Sequence, residues 1–250
     1  MELQPRFIGS NQFQQAPMIR PIVSLRRPMA VALTIFLTAC ASNADRIPGA
    51  APRPSNERVE DREAAPIGTD PVLMYGEKTD AGFHIAGVNT GKMNPDFVRQ
   101  VVSYATDEKP GTIIVDQRAR FLYLIQPGNK AIRYAVGVGP VARAFDGGDA
   151  IIARKAAWPR WIPTPEMVAR NPAHYGPNKD GVDGGPSNPM GARALYMHKD
   201  GRDTYYRVHG TNDPGSIGKA VSAGCIRLLN QDIIDLYNRV KPGARIVVQG

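Results

Sequence analysis

From Gly111 onward the apolar residues fall into short runs bounded by turn residues, and those runs predict strands more often than helices. "GTIIVD" (111–116) and "RFLYLI" (120–125) are rich in β-branched and aromatic residues, and the second alternates. "QPGNK" (126–130) is a turn, and "AIRYAVGVG" (131–139) is the return strand. "DAIIAR" (149–154) predicts another strand. "ALYMH" and "TYYRVHG" flank "KDGRD" (199–203), whose Asp-Gly marks a hairpin. In "TPEMVAR" (164–170) Thr164 can cap a short helix, Pro165 suits its first position and Glu166 its first turn. In "NQDIIDLYNRV" (230–240) Ile233, Ile234, Tyr237 and Val240 share one helical face, with Asn230 as the expected cap. "KPG" stops that helix, and "ARIVVQ" (244–249) closes the domain as a strand. The expectation is a mainly β domain over residues 109–250, with about seven strands and two or three helices.

Upstream the pattern weakens. Residues 71–108 are mixed, and "NPDFVRQVVSYAT" (94–106) fits either a short helix or an extended stretch. This segment is expected to be an N-terminal arm that packs on the domain. Residues 40–70, rich in Pro, Ala and charge, predict a flexible tether. Arg20, Arg26 and Arg27 precede the apolar run "MAVALTIFLTA" (29–39), which is too short to span a bilayer. A basic region before a short apolar run predicts a signal peptide over residues 1–39, with Met18 as an alternative start. The competing reading is a buried apolar segment that happens to end in Cys. The run ends "LTAC", which resembles the lipobox of bacterial lipoproteins and implies lipidation of Cys40. Ala41 in place of Asp resembles an outer-membrane sorting signal. Together these imply a periplasmic, lipid-anchored protein at the outer membrane of a Gram-negative bacterium.

Composition adds little to the fold and more to the partners. At 42% hydrophobic and 22% charged residues the chain is globular, and its 22 Pro and 25 Gly suit a turn-rich β architecture. The net charge of +8 fits an anionic partner such as a wall polymer or a membrane surface. No basic stripe is interleaved with aromatics, which argues against nucleic acid. His84, His174 and His198 show no metal-ligand spacing with Cys or carboxylates, so neither metal nor cofactor is expected. "GVGP" (137–140) is not a phosphate loop. The chain has two cysteines. With Cys40 acylated, Cys225 is the sole free thiol, and an unpaired thiol in a secreted protein calls for a reason.

That thiol lies in "HGTNDPGSIGKAVSAGCIRL" (209–228). Gly224 lets the backbone come close to a substrate carbonyl, and N–H groups around Cys225 could serve a developing oxyanion. His209 ends a predicted strand, and Gly210 leaves its own carbonyl open to an imidazole N–H. A base of this kind activates a thiol, and a catalytic thiolate is expected to react well below pH 8.5. The bland reading is a small buried Cys near an ordinary strand-end His.

"HGT" followed by "SAGCIRL" resembles the active-site signature of YkuD-type L,D-transpeptidases, and "NPMGARALYMH" (188–198) resembles the segment that precedes the His in that family. The resemblance implies a curved β-sandwich-like fold with a few short helices, and peptidoglycan stem peptides as substrate. It implies Cys225 as nucleophile, His209 as base and the Gly210 carbonyl as its orienting group. Gly224 would serve the oxyanion site, with Ser222 and Arg227 supporting; Arg227 would either pack the site or meet a substrate carboxylate. Ala223 departs from the pattern, since many members carry His there. Trp158, Trp161, Arg193 and Tyr196 are candidates for the substrate groove; packing is the alternative for Trp158, Trp161 and Tyr196, and a solvated strand face for Arg193. The implied reaction acylates Cys225 with the L-centre of diaminopimelate, releases D-alanine and passes the acyl group to an amine. The amine of another diaminopimelate gives a 3→3 crosslink, and an outer-membrane protein is another candidate acceptor. A carboxypeptidase using water, a non-catalytic wall-binding lipoprotein and a zinc site on Cys225 and His209 are the rival readings.

Overall fold

The computed structural model describes residues 67–138, 148–220 and 224–250. In chain order they form α1 (Pro71–Tyr75), β1 (Lys78–Asp80), β2 (Phe83–Ile85), β3 (Gln100–Ser103), β4 (Ile113–Asp116), β5 (Phe121–Gln126), β6 (Lys130–Ala135), β7 (Gly137–Val138) and β8 (Asp149–Ala157). Then come α2 (Pro165–Arg170), α3 (Pro172–Tyr175), β9 (Arg193–Lys199), β10 (Arg202–His209), β11 (Ile226–Arg227), α4 (Asn230–Arg239) and β12 (Arg245–Gln249). The fold is mainly β. β1 and β2 form a hairpin, and the other ten strands form one sheet in the order β3-β6-β5-β4-β12-β8-β9-β10-β11-β7. Two pairings in that sheet are parallel, β10 with β11 and β12 with β4.

Local chemistry explains most of these elements. The β9–β10 hairpin turns at Asp200 and Gly201, both left-handed (φ 51° and 74°), with Lys199 paired to Arg202. That is the two-residue turn that Asp-Gly favours. Thr164 caps α2 by accepting from the Met167 N–H, and Pro165 occupies the first turn. Residues 94–106 resolve into a single 3₁₀ turn, Pro95–Phe97, followed by strand β3, so the extended reading holds there. β8 runs three residues past Arg154, the end expected from sequence, to Ala157.

One core joins the sheet to α4. Ile113, Leu122, Ile152, Leu195, Leu228 and Ile246 meet Ile233, Leu236 and Tyr237 of the helix and Val240 just after it. Alternation places these residues on one face of each strand. Ile234 turns instead toward a smaller cluster with Ile85, Trp158 and Ala192.

The segment before residue 109 is fastened to α4 and to the β8–β9 region by buried polar groups. The Tyr75 hydroxyl donates to Asp232 (3.0 Å) and accepts from the Arg99 N–H (2.7 Å). The Arg99 guanidinium pairs with Asp232 at 2.8 Å, with both side chains buried. Gln231 donates to the Ala86 carbonyl. Asp80 receives two hydrogen bonds from Arg193 (2.7 and 2.8 Å) and one from Trp158 Nε1 (2.7 Å), while Phe83 lies against the indole ring. Among the described residues no helix is long and apolar enough to cross a membrane.

Burial outweighs the pull of Arg99 and pushes the Asp232 carboxyl up to about 7. Arg99→Ala would leave that carboxylate buried without its cation, with an expected loss of about 3–5 kcal/mol of unfolding free energy at pH 8. Without Arg99 the carboxyl is driven higher still, so the folded state takes up a proton that the unfolded state lacks. Stability of the variant should therefore fall as pH rises, and urea melts should show a smaller deficit at pH 6 than at pH 8.

Candidate active site

Strand register brings the site together. Across β9, β10 and β11, Tyr196 faces Arg207, Ala194 faces His209 and His209 faces Arg227. On the far side of β9, Arg154 of β8 faces Tyr196 and Ala156 faces Ala194. Successive residues alternate between faces, so two rows cross one face of the sheet. One row is Ala156, Ala194, His209 and Arg227. The other is Arg154, Tyr196 and Arg207, and it leads to Cys225, which precedes Ile226, the partner of Val208. Leu195, Val208 and Ile226 point the other way, into the core. His209 lies on β10 and Cys225 immediately precedes β11, so the two, sixteen residues apart in sequence, fall on the same face by alternation.

The His209 ring is buried and held by backbone carbonyls. Its Nδ1 lies 2.6 Å from the Gly210 carbonyl, and the Met190 backbone also hydrogen-bonds the ring. A carbonyl can only accept, so the contact at Nδ1 requires the proton there. Burial, reinforced by the charge on Arg227, pulls the imidazolium pKa down to about 4 against the carbonyls that favour it. At neutral pH His209 is therefore uncharged.

Two asparagines hold the loops around this ring. Asn230 accepts from the Ala192 N–H (2.9 Å) and donates to the Thr211 carbonyl (2.9 Å), bridging the chain on either side of Gly210. A Cβ on Gly210 or Gly191 would collide with the Asn230 carboxamide. Asn230 is thus not the helix cap expected from sequence. Leu229 occupies that position, and the Asn230 side chain is spent on the site. Asn188 is fully buried: its amide donates to the carbonyls of Pro159, Val182 and Asp183, and its carbonyl accepts from Met190 N–H. It therefore fixes the Met190 backbone that touches His209.

Gly224 enters the site at φ +127°, a conformation that L side chains rarely adopt, and a Cβ there would lie 2.7 Å from the Tyr206 ring. Cys225 follows it, partly exposed. Burial of the sulfur pushes the thiol upward, although the Arg207 backbone and the charges of Arg207 and Arg227 pull it down. The thiolate expected from sequence to titrate well below pH 8.5 is not what this environment favours, because lost hydration outweighs the nearby cations. Ser222 and Ala223 lie outside the described residues, as does Cys40.

The structure separates the four groove candidates. Trp161 and Tyr196 cluster with Met190, Ala194 and Ala156 on the site-bearing face. Arg193 alternates to the opposite face, where it is buried against Asp80; Trp158 is buried beside it, bonded to the same carboxylate. Their charge and N–H are committed to holding the N-terminal segment, which corrects their assignment to the groove. Asn188 and Asn230 carried no role in the sequence reading. The first lies in the quoted "NPMG" run, so a signal was present; the second was masked by a plausible cap. Among the described residues no group of three His, Cys, Asp or Glu could hold a metal.

Comparison with known proteins identifies the family of residues 110–248. The probable L,D-transpeptidase YbiS of Escherichia coli K12 is 37% identical over 137 residues, covering 54% of this chain and 43% of that one. The chain thus spans less than half the length of this relative. A solved structure from Brucella melitensis, described as a probable carnitine operon oxidoreductase, is 49% identical over 62% of this chain and 96% of that chain. Its TM-score of 0.44 is too low to carry that description across. An L,D-transpeptidase from Mycobacterium smegmatis is 20% identical, covering 56% of this chain and 58% of that one, with a TM-score of 0.38. The YkuD family, the L,D-transpeptidase catalytic domain, matches residues 110–248, which is more than half of the chain and includes both His209 and Cys225, and the chain belongs to that family.

Proposed function

We propose that the protein is a peptidoglycan L,D-transpeptidase that works through an acyl-enzyme on Cys225. What supports this reading is the strand register that puts Cys225 on the same face as a neutral His209 whose Nδ1 meets the Gly210 carbonyl. A raised thiol does not require a resident thiolate. His209 Nε2 takes the thiol proton as sulfur attacks the carbonyl carbon of the diaminopimelate L-centre. The C–N bond to D-alanine then breaks, and the imidazolium returns its proton to the leaving amine. An acceptor amine attacks the thioester, gives a proton to His209, and the sulfur leaves and is reprotonated. The carbonyls of Gly210 and Met190 stabilise the imidazolium in transit, while Arg207 and Arg227 favour negative charge on sulfur. Backbone N–H groups beside Gly224 and Cys225 receive the oxyanion.

Water in place of the amine makes the same site a carboxypeptidase, and an amine on an outer-membrane protein makes it an anchoring enzyme. The "LTAC" run supports acylation of Cys40 and attachment to the outer membrane from the periplasmic side. That setting would hold the site next to its polymer.

Mass spectrometry after mixing the protein with disaccharide-tetrapeptide muropeptides should show a dimer lacking one D-alanine. Cys225→Ala should abolish it, a loss of at least about a thousandfold. Tripeptide alone would redirect the reading to hydrolysis, and no Cys225-dependent product would redirect it to a wall-binding protein.

The pH dependence follows from the two shifts. Protonation of His209 removes the base, and its folded pKa is about 4, so the acid limb of kcat/KM should lie near pH 4 rather than at the ordinary imidazole value. The thiol is raised, so alkylation of Cys225 by iodoacetamide should keep accelerating above pH 8.5. An alkylation rate already level below pH 7 would contradict the neutral pair.

A further inference from the structure

The row of side chains that ends at Cys225 carries a second feature. The Arg154 guanidinium lies 3.4 Å over the Tyr196 ring, and Arg207 lies 4.5 Å from the same ring. Tyr196 is buried between them, and its ring orders both cations. The two arginines differ in what satisfies their charge. Arg207 makes a two-pronged pair with Asp203 at 2.7 and 2.9 Å. Arg154 is exposed, and among the described residues no carboxylate pairs with it. A flat, stacked guanidinium with open N–H edges is the arrangement that receives a carboxylate on two prongs.

Its distance from the nucleophile is set by the sheet. Tyr196 stands two strand spacings from Cys225, about 10 Å. The side-chain carboxylate of diaminopimelate is six bonds from the attacked carbonyl, long enough to meet a guanidinium that reaches toward it across that span. Building on the proposed function, we infer that Arg154 is a specificity-determining residue that binds the side-chain carboxylate of the donor diaminopimelate while its L-centre faces Cys225. Tyr196 is the positioning residue that holds the guanidinium flat. Trp161, packed in the same cluster, borders this subsite.

The test uses the purified full chain and two tetrapeptide donors that differ only in whether the diaminopimelate side chain ends in a carboxylate or a carboxamide. Initial rates of D-alanine release are compared for wild type, Arg154→Gln and Arg154→Lys, with Cys225→Ala as the blank. Wild type should prefer the carboxylate donor by about tenfold in kcat/KM, mostly through KM. Arg154→Gln should lose that preference, with kcat/KM falling about tenfold further on the carboxylate donor than on the carboxamide donor, and a thermal melt close to that of wild type shows that the variant is folded. Arg154→Lys, which cannot present two parallel donors, should restore the preference only in part. Turnover by Arg154→Gln with the preference intact, or an equal loss on both donors, would overturn the inference and leave the transpeptidase reading standing. No Cys225-dependent turnover of either donor by wild type would overturn both.

Discussion

The parallel pairing of β10 with β11 is the constraint on which the site depends. Two residue pairs, Val208 with Ile226 and His209 with Arg227, fix it. A slip of one residue would exchange the faces of a strand and bury Cys225 where Ile226 now packs. The register is held from both sides. Val208 and Ile226 are core residues, and the Leu228 N–H closes on the His209 carbonyl at 2.8 Å. Gly224 makes the approach possible, since its backbone passes directly against the Tyr206 ring. The face on which Cys225 lies is thus a consequence of apolar packing on the reverse side of the same two strands.

Helix α4 carries constraints in two directions from one end. Asn230 ties down the loops on either side of Gly210, while Gln231 and Asp232 hold the segment before residue 109. The three residues are consecutive, so the base-bearing loop and the N-terminal segment are referred to the same helical turn. Arg193 repeats the logic on β9: its neighbour Ala194 faces His209, while its own side chain crosses to Asp80. Such buried charge networks contribute little net stability against an apolar replacement, but they penalise every alternative docking in which one partner is left alone.

Electrostatically the site is poised rather than precharged. Burial favours the neutral forms of both His209 and Cys225, and the surrounding arginines favour anions over cations. An imidazolium is disfavoured in this setting. The carbonyls of Gly210 and Met190 keep the ring in one tautomer and orientation throughout.

The sequence by itself determined the β character of the domain, the Asp-Gly hairpin and the amphipathic face of α4, and it singled out His209 and Cys225 as candidates. These are local or periodic signals: alternation, turn residues, helical spacing and a run of residue types whose chemistry is recognisable without coordinates. Only the tertiary structure decided which way each side chain is spent. Asn230 read as a cap, yet it bridges Ala192 and Thr211; Trp158 and Arg193 read as groove residues, yet both serve Asp80. A thiolate seemed required of Cys225, yet burial favours the thiol. In each case the deciding partner lies far away in sequence, and hydration is lost only when the chain closes around the group. Residue type fixes what a side chain can do, and long-range packing, which no local pattern encodes, fixes what it does.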